Sequence, residues 1–118
     1  LDILRGYTNK GLKGIFHAFT GSAEIAQQVI GMGMYLGIGG ILTYKKSELP
    51  VVILETPLEH LVLETDSPFL APVPYRGKRN ESSFIHFVAE AVQQIKNVPL
   101  DDVARITTQN ASELFQLT

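Results

Sequence analysis

An α/β fold built on a parallel sheet is the architecture this sequence predicts, and three observations predict it. Short apolar runs at 13–19, 34–41 and 60–64 alternate with segments of helical periodicity. The second run lacks the polar alternation of a sheet with one wet face, so it reads as a strand buried on both faces. The segments between them are long enough for crossover helices, which parallel strands require.

The first run, Lys13 to Phe19, follows a turn at Asn9-Lys10-Gly11 and reads as a strand ending near His17. Ser22 is a good N-cap with Glu24 in the first turn, and Ile25, Ala26, Val29, Ile30 and Met32 recur at helical spacing until Gly31 and Gly33 end the helix. Met34 to Ile41 is the second strand, carrying Gly37, Gly39 and Gly40, and glycine at its end permits close approach of another backbone or a ligand. Ser47 is positioned to cap a short helix with Pro50 in its first turn, its apolar side formed by Leu49, Val52 and Ile53, and Thr56-Pro57 stops it. His60 to Glu64 is the third strand. A long loop follows from Asp66 to Asn80, of a length that in a compact unit usually marks function. A helix from about Ser82 to Lys96 buries one broad face: Phe84, Phe87, Val88, Ala91, Val92 and Ile95. Pro99 opens a last helical region with Val103 and Ile106 inward, and Asn110 is expected to cap a separate final turn carrying Leu114 and Phe115.

The chain has 118 residues, 45% of them hydrophobic, which suits one small domain with a core. A net charge of -2 argues against a general electrostatic grip on nucleic acid and leaves a local one open. The absence of cysteine excludes disulfides and thiolate metal sites and fits a cytoplasmic setting. No segment reaches the length of a membrane span, so no membrane partner is expected. Leu1-Asp2-Ile3-Leu4-Arg5 has neither an initiator Met nor the apolar region of a signal peptide, and reads as the end of a helix whose start is missing. Three strands also leave a sheet that cannot close. The expectation is therefore a fragment, whose exposed strand edges and helix faces would pair with a second copy or with the missing part.

In parallel α/β folds the site lies at the C-terminal ends of the strands. The residues to weigh are His17, the Gly39-Gly40 region, and Glu64 to Asp66. Glu64 and Asp66 stand two apart at a strand end, so both point at one region, where a bound cation would relieve their repulsion. Asp66 could also act as a base towards an attacking water. A second reading stands beside this one: Asp66 caps a turn before Ser67-Pro68, and Glu64 pairs with a nearby Lys or Arg. His17 is either a ligand or a hydrogen-bonded structural residue, and its place on the face of Asp66 favours the ligand. Arg76, Lys78, Arg79 and Asn80 crowd one loop beside Tyr75, a cluster that suits phosphate or is simply solvated and paired with Glu81. His60 and His86 read as structural, and Ser67 lacks the cues of a nucleophile.

Three stretches then resemble the C-terminal signatures of the TatD family of metal-dependent deoxyribonucleases: His17-Ala18-Phe19-Thr20-Gly21-Ser22, Leu63-Glu64-Thr65-Asp66-Ser67-Pro68-Phe69-Leu70-Ala71-Pro72, and Arg76-Gly77-Lys78-Arg79-Asn80-Glu81. Thr107-Thr108-Gln109-Asn110-Ala111 with Leu114-Phe115 is similar to that family's last helix. The resemblance implies a (β/α)8 TIM-type barrel of about 250 residues when complete, with this chain, 1–118, as its C-terminal part and the three strands as its sixth to eighth. It implies that His17 and Asp66 bind the metal and that Glu64 has a metal-linked or catalytic part. The family's other ligands, a His-x-His pair, a Glu and another His, fall in the N-terminal half. Ala18, Tyr75 and Ser82 stand where the family frequently has Cys, His and Pro; none is a ligand in the resemblance, and the change at Tyr75 could alter substrate contacts.

The function expected is metal-dependent cleavage of DNA phosphodiester bonds. Asp66 and Glu64 are the expected catalytic residues, and Arg76, Lys78 and Arg79 hold the strand by its phosphates. Mg²⁺ is the first choice of ion, with Zn²⁺ or Mn²⁺ admitted by the histidine. Two alternatives remain: the same barrel acting on a small ester, amide or phosphoester, and a non-catalytic binding or assembly piece. With one His and two carboxylates, the isolated chain is expected to bind metal poorly and to be inactive.

Overall fold

A computed structural model describes residues 13–115, so the turn expected at 9–11 and the helix end at 1–5 lie outside the described residues. The sheet has three parallel strands in the order β1-β2-β3: β1 (Ile15–Phe16), β2 (Tyr35–Ile38) and β3 (Leu61–Leu63). Helix α1 (Ala23–Gly31) connects the first pair and α2 (Leu49–Glu55) the second. Two longer helices, α3 (Ile85–Lys96) and α4 (Leu100–Leu114), follow β3 among the described residues. The strand–helix alternation expected from the apolar runs is present, and it forms an arc of a (β/α) barrel.

The local signals act as expected. The Ser22 hydroxyl accepts a hydrogen bond from the Ile25 amide, capping α1. Gly33, at φ +78°, turns the chain out of α1 towards β2. The Ser47 hydroxyl accepts from Leu49 N–H at the start of α2, and Pro50 occupies that helix's first turn. Asn97 adopts the left-handed conformation that ends α3. The core lies around β2, whose Leu36 and Ile38 are fully buried against Val29 of α1, Ile53 of α2, Val88 and Val92 of α3 and Val103 of α4.

Two expectations need correction. The strands are shorter than the apolar runs. The second stops at Ile38, and Gly40–Thr43 forms a 3-10 turn instead. The cause is the long loop, which lies against that turn: a Cβ at Gly40 would collide with the Leu70 carbonyl and stand 3.0 Å from Pro72 N. Thr43 Oγ1 accepts from Val73 N–H at 2.8 Å, and the Tyr44 hydroxyl donates to the Ala71 carbonyl at 2.9 Å, pinning the loop there. Nor does Asn110 cap a separate turn. It lies inside α4, buried, and its side-chain amide donates to the carbonyls of Leu58 and Leu61, each at 2.8 Å. A tertiary demand for a donor at the entrance to β3 outweighs its preference for helix ends.

Candidate metal centre

His17, Glu64 and Asp66 meet at the C-terminal end of the sheet, with one potential ligand atom from each lying within 4.8 Å of the others. His17 follows directly on β1. Continuing the register Ile15↔Tyr35, Phe16↔Leu36 sets it beside Gly37 of β2, and Phe19 N–H still bonds the Gly37 carbonyl at 2.9 Å. Between them Ala18 takes φ +49°, a left-handed conformation that costs a side-chain-bearing residue about 1–2 kcal/mol. That turn aims the Ala18 amide at the Glu64 carboxylate, where it donates to Oε1.

Glu64 leaves the end of β3, which pairs with β2 and not with β1. Two strand spacings, about 9–10 Å, separate β3 from β1. The Glu64 side chain crosses this gap over Gly37, where an added Cβ would stand only 2.6 Å from Oε2. Its Oε2 meets His17 Nδ1 at 2.6 Å. Asp66 meets the other ring nitrogen, with Oδ1 2.6 Å from Nε2. The imidazole thus stands between two carboxylates. The alternatives open in the sequence resolve into geometry: Asp66 does open a turn, but through its carbonyl, which accepts from Phe69 N–H, leaving its carboxylate to His17. Glu64 pairs with His17 rather than with a Lys or Arg.

The hydrogen bond to Glu64 and then its negative charge hold the imidazolium of His17 above its ordinary pKa, partly opposed by burial, with Asp66 adding a lesser contribution in the same direction as Glu64. A proton on His17 therefore does in the metal-free chain what a divalent cation would do: it compensates two converging carboxylates. The donor set of one imidazole and two carboxylates suits Mg²⁺, Mn²⁺ or Zn²⁺. The His17 side chain is 61% exposed, so an ion can reach it.

His60 and His86 stay out of the cluster, as expected: the His60 ring lies 6.5 Å from that of Tyr35, and His86 Nδ1 bonds the Ser83 carbonyl. In the loop, Arg76, Lys78 and Arg79 are exposed and form no salt bridge among the described residues, so the alternative in which they pair with Glu81 is not seen. The Arg76 guanidinium lies 3.9 Å over the Tyr44 ring, and Tyr75 stacks on Phe84 at 4.4 Å. Asn80 departs from the basic cluster. It is buried, with its backbone N–H on the Pro68 carbonyl and its side-chain amide on that of Phe69, so it closes the loop. Sequence reasoning also passed over Gly37 and Ala18. A glycine inside an apolar strand signals close approach, whereas nothing in the sequence marks the Ala18 amide.

The family model described as TatD related DNase matches residues 1–116. The chain belongs to this family. Among curated relatives, the uncharacterized metal-dependent hydrolase YabD of Bacillus subtilis is 44% identical over 118 residues, covering 99% of this chain and 46% of YabD. The uncharacterized metal-dependent hydrolase YcfH of Escherichia coli K12 is 38% identical, covering 99% of this chain and 44% of YcfH. The chain thus spans about half the length of the TatD relatives it matches. Among solved structures, the TatD homolog YJJV from Escherichia coli K12 superposes with a TM-score of 0.88 at 28% identity, covering 99% of this chain and 47% of that one. A TatD family hydrolase from Entamoeba histolytica gives 0.84 at 25% identity, covering 99% and 46%. The resemblance carried by the three sequence stretches is therefore a family relationship, and the barrel arc is the TatD fold.

Proposed function

We propose that this chain is the C-terminal part of a metal-dependent hydrolase that cleaves DNA phosphodiester bonds in the cytoplasm. The observation that carries the reading is the convergence of His17, Glu64 and Asp66 at the C-terminal end of parallel strands. Relatives named metal-dependent hydrolases support the reaction class, and the family's description supports DNA as the substrate. His17 and Asp66 hold a divalent ion, with Mg²⁺ preferred. When bound, the ion supplies positive charge to the phosphate and acidifies water.

Asp66 has the further task of taking the proton from the attacking water as the water oxygen bonds phosphorus and the phosphorus–oxygen bond to one sugar breaks, the departing sugar oxygen taking a proton from solvent. Among the described residues its carboxylate has no partner but His17, which leaves an acceptor free. Arg76, Lys78 and Arg79 extend from the loop that follows Asp66 and grip phosphates without reading bases. The stack of Tyr75 on Phe84 stiffens that loop. Three donors are fewer than such a site needs, so the remaining ligands come from the N-terminal half and the isolated 118-residue chain is inactive.

The test is cleavage of DNA by the full-length protein carrying this chain, with and without EDTA. Activity should vanish in EDTA, return with Mg²⁺, and be absent in Asp66→Asn. Undiminished cleavage in EDTA or in that variant would sink the proposal. A small ester or phosphoester cleaved in the same metal-dependent way, with DNA left intact, would instead select the small-substrate reading.

A further inference from the structure

Both edges of the His17 ring are occupied by a carboxylate at 2.6 Å, so distance alone assigns the ion to neither. The surroundings of the two carboxylates differ. Each Glu64 oxygen already has a donor: Oε1 accepts from the Ala18 amide, and Oε2 faces His17 Nδ1. The carboxylate is wedged over Gly37, which has no Cβ to obstruct it, and its side chain is 13% exposed. The Asp66 side chain is 22% exposed and, among the described residues, its carboxylate has no ion-pair or hydrogen-bond partner but His17 Nε2. One edge of the imidazole is closed and saturated. The other is open.

We propose that Glu64 is a positioning residue: seated on Gly37 and the Ala18 amide, it holds the His17 proton on Nδ1 and so presents Nε2, together with Asp66, to the ion. This rests on the metal reading above and narrows it, because Glu64 is then not a ligand. A carboxylate behind a metal-binding histidine fixes both the tautomer and the ring plane. The left-handed turn at Ala18 supplies the second donor that stops Glu64 from swinging towards the ion. Glutamine in its place has one acceptor for two donors. It must leave the Ala18 amide or the His17 Nδ1–H facing an NH₂ group, or drive the His17 proton to Nε2, where it blocks the ion.

The experiment uses Zn²⁺ and the full-length protein carrying this chain. Calorimetry measures Zn²⁺ affinity, and ¹⁵N-edited imidazole spectra of the loaded protein show which His17 nitrogen is protonated. Wild type should bind through Nε2 with Nδ1 protonated. Glu64→Ala and the isosteric Glu64→Gln should each weaken Zn²⁺ binding by about 10–100-fold, as loss of an outer-shell partner does. Gly37→Ala should do the same without removing a charge, because the new Cβ displaces the carboxylate. A residue needed only for strand packing would be rescued by the isosteric Gln variant. Coordination through Nδ1, or wild-type affinity in Glu64→Gln, overturns this inference and leaves the metal reading standing. A wild-type protein that binds no Zn²⁺, Mg²⁺ or Mn²⁺ overturns both.

Discussion

Replacing Asn110 with alanine removes a side chain that ties α4 to the entrance of β3. Its amide nitrogen donates to two carbonyls, Leu58 and Leu61, each at 2.8 Å, from a residue that is 4% exposed. Each such bond is worth about 1 kcal/mol net, and a buried acceptor left bare costs about 1–3 kcal/mol more. The Leu58 carbonyl keeps a second donor, the Leu61 amide. Most of the penalty therefore falls on the Leu61 carbonyl, and the expected loss is about 2–4 kcal/mol. Against a total stability of about 5–15 kcal/mol, that is a large share. Asn110→Asp conserves size and reverses polarity, setting an oxygen against two carbonyl oxygens, so it should destabilise more than alanine does. Urea unfolding reads both through the transition midpoint at unchanged slope. An alanine variant within about 0.5 kcal/mol of wild type would refute the reasoning, as would an Asp variant milder than Ala; with buried hydrogen bonds normally worth more than that, either outcome would mean that α4 is held by its apolar face alone.

Gly40→Ala drives a Cβ into the backbone of Leu70–Pro72 and should cost about 1–3 kcal/mol, while loop 66–80 becomes easier to nick with protease; unchanged stability and protection would count against the packing described. On the proposed reading, Arg76→Ala with Arg79→Ala weakens DNA binding, lowers the salt dependence of its affinity by about one log unit per lost phosphate contact, and spares a small neutral ester. In the metal-free protein the pairing of His17 is stabilising through a raised folded-state pKa. That contribution is complete below pH 6.5, the ordinary imidazole value, and disappears as pH rises through the raised one. In EDTA the difference in Tm between wild type and His17→Gln should therefore shrink with increasing pH, and a difference that grew would contradict the ion-pair geometry.

Fold class was legible because periodicity reports burial. The apolar run of β2, short and without polar alternation, reads as a strand covered on both faces, and α1 carries its cap and its glycine exit in plain order, Ser22 then Gly33. The end of β2 was not legible, although that of β1 near His17 was, the strand stopping at the residue before it. Gly40 and Ile41 continue the apolar run of β2, yet the chain leaves the sheet at Ile38 because loop residues far along the sequence, Leu70 to Pro72, occupy the space beside Gly40. Asn110 failed for a related reason. Its side chain favours helix ends in isolation, but a carbonyl 49 residues away decides its role.

The candidate site divides along the same line. Period-2 spacing put Glu64 and Asp66 on one face, and the strand-end rule put His17 near them, so all three came together. Spacing along one strand cannot say that the two carboxylates take opposite edges of one imidazole. That depends on β2, the strand between, having a hole at Gly37 through which a β3 side chain reaches β1. Two carboxylates, alike in sequence, thereby acquire unlike surroundings: Glu64 locked by two donors, Asp66 open with an acceptor to spare. An ion needs the second kind and a positioning group needs the first. On the proposed reading, the division of labour between Glu64 and Asp66 is set by a residue with no side chain, a distinction that charge and spacing along β3 do not draw.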